Sequence, residues 1–119
     1  MQRYRDLEVW KRSHALVLGI YQLTKSFPDD GRFGMTSQLR RATVSVPANI
    51  AEGSKRRTNQ DFARFLNIAE GSMSEVDYLL LCSKDLGYLP DSVLEPIAKE
   101  IDEISRMLYR LRTKVEKEA

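Results

Sequence analysis

Apolar residues recur at intervals of three and four along most of the chain, a spacing that places them on one face of an α-helix. The regularity is clearest near the C-terminus, where the alternation follows the repeat of left-handed helix packing. The residues of this series are Leu94, Ile97, Ile101, Ile104, Leu108, Leu111 and Val115. The sequence therefore predicts a long amphipathic helix whose apolar face packs against other helices.

Three further helices follow from the same periodicity and from the residues that interrupt it. The segment 28–31, Pro-Asp-Asp-Gly, is a turn signature, Gly87 marks a helix end, and Thr58 with Asp61 resembles a capping box at a helix start. The predicted helices cover about residues 7–26, 35–54, 59–86 and 92–115. Because short connectors favour antiparallel neighbours, we predict one all-α domain over residues 1–119, an up-down-up-down antiparallel four-helix bundle.

The second helix contains a proline that allows another interpretation. Residues 43–46 also fit a half-buried strand, and Pro47 would cost a helix interior about 3 kcal/mol. We expect a kinked helix, because no other segment reads as a partner strand. The hexapeptide Asn-Ile-Ala-Glu-Gly-Ser occurs at 49–54 and again at 67–72 without matching flanks. We expect Gly53 to end the second helix and Gly71 to permit close approach by another helix.

The first and third helices carry more apolar surface than one bundle core requires. The polar stripe of the first helix is narrow, and apolar residues of the third lie outside its predicted core face. We therefore expect self-association into a homo-oligomer. The predicted interface residues are Trp10, Val17, Tyr21, Tyr78 and Leu81.

Positive charge is concentrated in the first half of the chain, although the net charge is only +2. Residues 1–60 carry 11 Lys and Arg against 5 Asp and Glu, whereas residues 61–119 carry 8 against 12. This split is compatible with a surface that binds polyanions and with attraction between parts of the fold or between subunits. The basic residues expected to share one helix–helix corner are Arg40, Arg41, Lys55, Arg56 and Arg57, with Arg64 one or two turns into the next helix. A solvated corner that serves solubility remains the alternative.

Candidate catalytic chemistry is sparse. His14 is the only histidine and Cys82 the only cysteine, and we interpret both as structural residues. There is no Glu-x-x-His motif, no Walker A sequence and no GxGxxG. We predict a protein without catalytic residues, metal or cofactor. No apolar run approaches the length of a membrane span and the start lacks the apolar stretch of a signal peptide, so we expect a cytoplasmic location.

Five segments carry a family resemblance, and they are spread over nearly the whole chain. They are residues 6–10, 34–41, 46–53, 65–69 and 84–89. These segments resemble the four-helix-bundle proteins encoded in intervening sequences of bacterial large-subunit rRNA genes, and the related accessory proteins of diversity-generating retroelements. The resemblance implies a second helix that continues through Pro47 and a ring-like homopentamer. The retroelement relatives contact nucleic acid and a partner reverse transcriptase through a basic surface, and the family offers no catalytic residues.

Two functions remain open from the sequence. The first is a non-enzymatic oligomeric bundle that binds RNA or DNA weakly through Arg40, Arg41 and residues 55–57. The modest net charge of +2 departs from the relatives and argues against tight binding. The second is a protein–protein interaction or scaffold module, in which the basic residues meet an acidic protein surface.

Overall fold

Four α-helices account for most of the chain in a computed structural model that describes residues 3–119. They are α1 (Glu8–Leu23), α2 (Met35–Ser54), α3 (Asn59–Asp85) and α4 (Asp91–Lys117). Short 3-10 turns lie at Tyr4–Asp6, Thr24–Ser26 and Gly31–Phe33. No strand occurs within residues 3–119, so the all-α prediction is confirmed, and each helix begins and ends within three residues of its predicted bounds.

Consecutive helices fold back along one another. The connector 55–58 returns α3 along α2, and the hydroxyls of Ser45 and Ser72 meet near the middle of this pair at 2.8 Å. In the next pair, Asn59 at the start of α3 donates to the main-chain oxygen of Glu118 just beyond α4, at 3.3 Å. Helix α1 packs on the other side of α2 and, less extensively, against α4. The helices therefore surround one core in chain order.

The inward faces of the four helices form a common apolar core. Each helix contributes side chains at the spacing of three and four that its sequence shows. The largest fully buried apolar side chains are Ile20, Leu39, Ile50, Leu66, Met73, Leu80, Ile104 and Leu108. Burial of each contributes about 1.5–3 kcal/mol, which chain entropy largely opposes.

Helix α2 continues through Pro47, so the strand interpretation of this segment is ruled out. A proline removes the amide that would bond to the carbonyl four residues earlier, here that of Thr43. On both sides of Pro47, a side chain forms a hydrogen bond to a main-chain carbonyl of the preceding turn. The buried Thr43 hydroxyl donates to the Leu39 carbonyl at 2.7 Å, and the Asn49 amide donates to the Ser45 carbonyl at 2.8 Å. Burial of the surrounding core residues keeps the segment helical despite the lost bond.

The two hexapeptide copies hold glycines whose surroundings reverse our expectation. A Cβ at Gly53 would lie 2.6 Å from the Phe65 Cβ and 3.0 Å from a ring carbon of Phe62. Gly53 therefore lets α2 and α3 approach closely, and α2 ends one residue later, at Ser54. A Cβ at Gly71 would meet nothing within 4 Å in the chain, because Gly71 lies on the exposed side of α3.

Two arginines tie α4 to its neighbours. Arg12 in α1 donates to both carboxylate oxygens of Glu100, at 2.8 and 2.7 Å, and also to Glu103. The hydrogen bond to Glu100, and to a smaller extent the one to Glu103, raises the pKa of Arg12. The hydrogen bond from Arg12 in turn lowers the pKa of Glu103. Arg112 in α4 pairs with Glu70 in α3, which raises the pKa of Arg112. These bidentate pairs fix α4 between α1 and α3.

The matched glycines provide the first prediction. We expect Gly53→Ala to lower the free energy of unfolding by about 1–3 kcal/mol, because its methyl group overlaps the Phe65 Cβ. Gly71→Ala should raise the free energy of unfolding by up to about 1 kcal/mol, because alanine favours the helix and the space is open. Denaturant unfolding of both variants measures the difference. Stabilisation by Gly53→Ala would contradict the close approach.

The lowered pKa of Glu103 predicts how the Arg12 contact depends on pH. A carboxylate whose pKa is depressed by folding adds stability above its unfolded value, about 4.3, and loses it as the pH falls through the folded value. The difference in melting temperature between wild type and Arg12→Met should therefore be largest near neutrality and shrink below about pH 4. The control is Arg106→Met, which removes an exposed pair with Asp102 and should change the melting temperature little. A constant Arg12→Met difference from neutral to acid pH would be inconsistent with this pair.

Candidate nucleic-acid interface

The connector between α2 and α3 exposes three consecutive cations. Lys55, Arg56 and Arg57 follow the end of α2, and all three side chains are exposed. Thr58 then caps α3 by accepting a hydrogen bond from the Asp61 amide at 3.1 Å, as its spacing predicted. The tight reversal thus places positive charge beside the positive end of the α3 dipole.

Two of the cations near this connector are held by both an aromatic ring and carboxylates. The guanidinium carbons of Arg56 and Arg64 lie 4.7 and 4.5 Å from the centre of the Phe65 ring. Arg56 pairs with Glu52 at 2.9 Å, and Arg64 pairs with Asp61 at 2.9 Å. These contacts orient the guanidinium groups and also neutralise part of their charge.

The N-terminal turn adds two arginines to the same end of the bundle. Arg3 and Arg5, from the turn that precedes α1, line a recess together with Lys55. Lys55 and Arg57 form no ion pair within residues 3–119, in contrast to Arg56. Sequence reasoning missed Arg3 and Arg5, although an antiparallel α1 and α2 would have brought them to the end of α2. We define the basic end as Arg3, Arg5, Lys55, Arg56, Arg57 and Arg64.

Arg40 and Arg41 do not belong to the basic end, so the predicted single corner is wrong. Because α2 is continuous, the 14 residues from Arg41 to Lys55 span about 21 Å at 1.5 Å per residue. Arg40 lies over the Tyr21 ring at 4.5 Å and donates to the Thr24 hydroxyl at 2.8 Å. Arg40 therefore fastens α2 to α1. Arg41 donates to a main-chain oxygen, that of Arg32, at 3.1 Å.

The predicted interface residues differ in how exposed their side chains are in the single chain. Tyr21, Tyr78 and Leu81 are 41%, 62% and 47% exposed. Trp10 is half-buried, whereas Val17 is only 9% exposed and is thus covered within one chain. Their place in an interface stays a prediction. Sequence reasoning overlooked Leu18, which is exposed beside Tyr21 on the outer side of α1.

The residues considered for catalysis have ordinary surroundings. The exposed His14 ring stacks on Trp10 with centroids 5.0 Å apart, and Cys82 is a half-buried free thiol. Within residues 3–119, no three His, Cys, Asp or Glu side chains are grouped to hold a metal ion. In the same part of the chain, no helix is long and apolar enough to cross a membrane. The basic end is therefore the most distinctive chemical feature of the described surface.

Comparisons with known proteins agree with the fold. Residues 5–110 match the family model of the 23S rRNA-intervening sequence protein. The chain is also similar to a protein of unknown function from the S23 ribosomal protein family of Bacteroides thetaiotaomicron VPI-5482, known from its crystal structure. The TM-score is 0.80 and the identity 28%, over 88% of this chain and 95% of that one. No curated protein matches the sequence. Neither similarity indicates an enzymatic family.

Proposed function

Because the chain belongs to the 23S rRNA-intervening sequence protein family, we propose that it is a non-enzymatic protein that binds RNA or DNA through the basic end. The observation that supports this proposal is the convergence of cations from three chain segments. Arg3 and Arg5 precede α1, residues 55–57 follow α2, and Arg64 lies in α3. Segments distant in sequence thus contribute charge of one sign to one surface.

The chemistry of the basic end suits phosphate groups better than base edges. Lysine and arginine attract the phosphate backbone without a sequence-specific geometry, and a helix N-terminus adds amide donors. The groove at the connector is lined by polar and charged side chains alone. Glu52 and Asp61 lower its net charge, so the proposed binding is weak and strongly dependent on salt.

We further propose that identical copies associate through the outer sides of α1 and α3. Both sides expose large apolar side chains, including Leu18 and Tyr78, at 59% and 62%. Clusters of exposed apolar residues are typical of protein–protein contacts. The resemblance to ring-forming relatives favours a homopentamer. This assembly, with its free Cys82 thiol, would operate in the reducing cytoplasm.

The basic end can be tested by titrating labelled single-stranded RNA at several salt concentrations. Each phosphate contact contributes about 0.7 to the slope of log affinity against log salt for a single strand. We expect Lys55→Ala with Arg57→Ala to reduce this slope by about 1.4 and to weaken binding at low salt. Arg32→Ala with Arg41→Ala is the matched control, because it also removes two exposed positive charges, and Arg41 lies about 21 Å from Lys55.

The outcome of the RNA titration separates the two candidate functions. A wild-type affinity that does not depend on salt would contradict the proposal. Absence of binding at low salt, combined with capture of protein partners from nuclease-treated lysate, would instead support a scaffold module. Equal losses in the two double variants would show that general charge, and not the basic end, controls binding.

Self-association can be tested by light scattering. We expect the wild-type mass to be a multiple of the chain mass of 13.7 kDa. Tyr78→Lys should reduce this mass, because it places a charge in the apolar surface that the proposed interface buries. Phe33→Lys is the control, since Phe33 is 75% exposed but lies in the turn before α2. A monomeric wild-type protein would contradict the proposed oligomer.

A further inference from the structure

A second recess opens at the same end of the bundle, and its lining is more apolar than that of the groove at the connector. It lies where the start of α1, the start of α3 and the end of α4 meet. Its lining includes four apolar side chains, those of Leu7, Phe62, Leu111 and Val115. The recess has a volume of about 510 Å³, which is within the range of small-molecule sites. We call it the end pocket.

The polar part of the end pocket connects it to the basic end. Arg56 lines both the end pocket and the groove at the connector, so the two recesses share one guanidinium group. Lys114 contributes a second cation and Glu118 one carboxylate. Asn59 supplies a side-chain amide, which can both donate and accept hydrogen bonds. The pocket thus combines apolar walls with an arginine, Arg56, on the side that adjoins the groove at the connector.

From this juxtaposition we propose that the end pocket receives one unpaired base of a single-stranded nucleic acid. The phosphates next to that base lie along Arg56 and the neighbouring cations of the connector. This inference rests on the proposed function, and it adds the class of nucleic acid that the site selects.

The two recesses offer complementary chemistry to a nucleotide. The connector groove presents charge but no apolar or aromatic side chain on which a base could pack. The end pocket presents Phe62, which is only half-buried, together with aliphatic walls. Bases of single strands can leave the stack and pack on aromatic side chains, whereas bases in a duplex are already paired. A strand with accessible bases should therefore bind more tightly than a backbone of equal charge without bases.

The experiment compares two labelled deoxyoligonucleotides of equal length, about twelve nucleotides, one with bases and one abasic throughout. Their charges are equal, so any difference in affinity reports on the bases. We expect the wild-type protein to bind the strand with bases about tenfold more tightly. Asn59→Met, whose longer side chain occupies the mouth of the end pocket without offering an aromatic face to a base, should reduce the ratio of the two affinities toward one.

A matched variant controls for the added methionine. Ser92 is likewise an exposed polar residue in the first turn of a helix, but it lies at the start of α4, far from the end pocket. Ser92→Met should retain the tenfold difference. As a measurement that needs no variant, the methyl resonances of Leu111 and Val115 should shift with the strand that carries bases and not with the abasic strand.

Several results would overturn the end pocket as a base site. Equal, salt-dependent affinities of the wild type for both strands would do so while leaving the proposed function intact. So would methyl resonances that do not respond to the bases, or an Asn59→Met variant that keeps the tenfold difference. Failure of both strands to bind at low salt would overturn the proposed function and this inference together.

Discussion

The close approach of α2 and α3 at Gly53 is the contact on which the rest of the basic end depends. The absence of a side chain at Gly53 lets the Phe65 Cβ lie 2.6 Å from the position that a methyl group on Gly53 would occupy, so the two helices meet just before the chain reverses. The ring of Phe65 carries Arg56 and Arg64. The packing that joins the helices therefore also sets the separation of these guanidinium groups.

The division of charge along the chain serves the fold as well as the surface. Arg12, from the basic half, meets Glu100 and Glu103 from the acidic half, so part of the asymmetry is used to attach α4 to α1. Glu52 and Asp61 act on the surface: they pair with Arg56 and Arg64, which orients these guanidinium groups and neutralises part of their charge. These carboxylates reduce the positive charge of the basic end and fix the geometry of its guanidinium groups, which is consistent with the weak binding proposed for it.

Periodicity is sufficient to predict the helices, because each helix buries one apolar face and its apolar repeat ends at recognisable turn residues. Pro47 could be placed in a helix because no second strand existed to pair with the alternative. The glycines could not be assigned in the same way. Periodicity specifies which face a residue occupies, but the role of Gly53 depends on the Phe65 Cβ of another helix, and Gly71 has the same local sequence without that neighbour.

The candidate site was predicted only in part, for a related reason. The cluster at 55–57 is local and visible in the sequence, whereas Arg3 and Arg5 join it only through the antiparallel path of α1 and α2. Arg40 and Arg41 share a helix with the start of this cluster, but residues on one helix are not thereby close in space, and the continuous α2 separates Arg41 from Lys55 by about 21 Å. The distance along the helix, and not the shared sign of charge, therefore decides which basic residues form one surface.

The positions of the basic end and the exposed apolar sides are compatible with both proposed roles at once. Helices α2 and α4 lie between α1 and α3, so the outer sides of α1 and α3 face apart. A contact from α1 of one copy to α3 of the next is head-to-tail, and such contacts form a ring when the rotation between successive copies closes. Because the basic end lies at an end of the bundle, each copy in the proposed ring would present it on the same rim. Weak contacts repeated along one nucleic acid strand then reinforce one another through effective concentration, without a strongly charged single subunit.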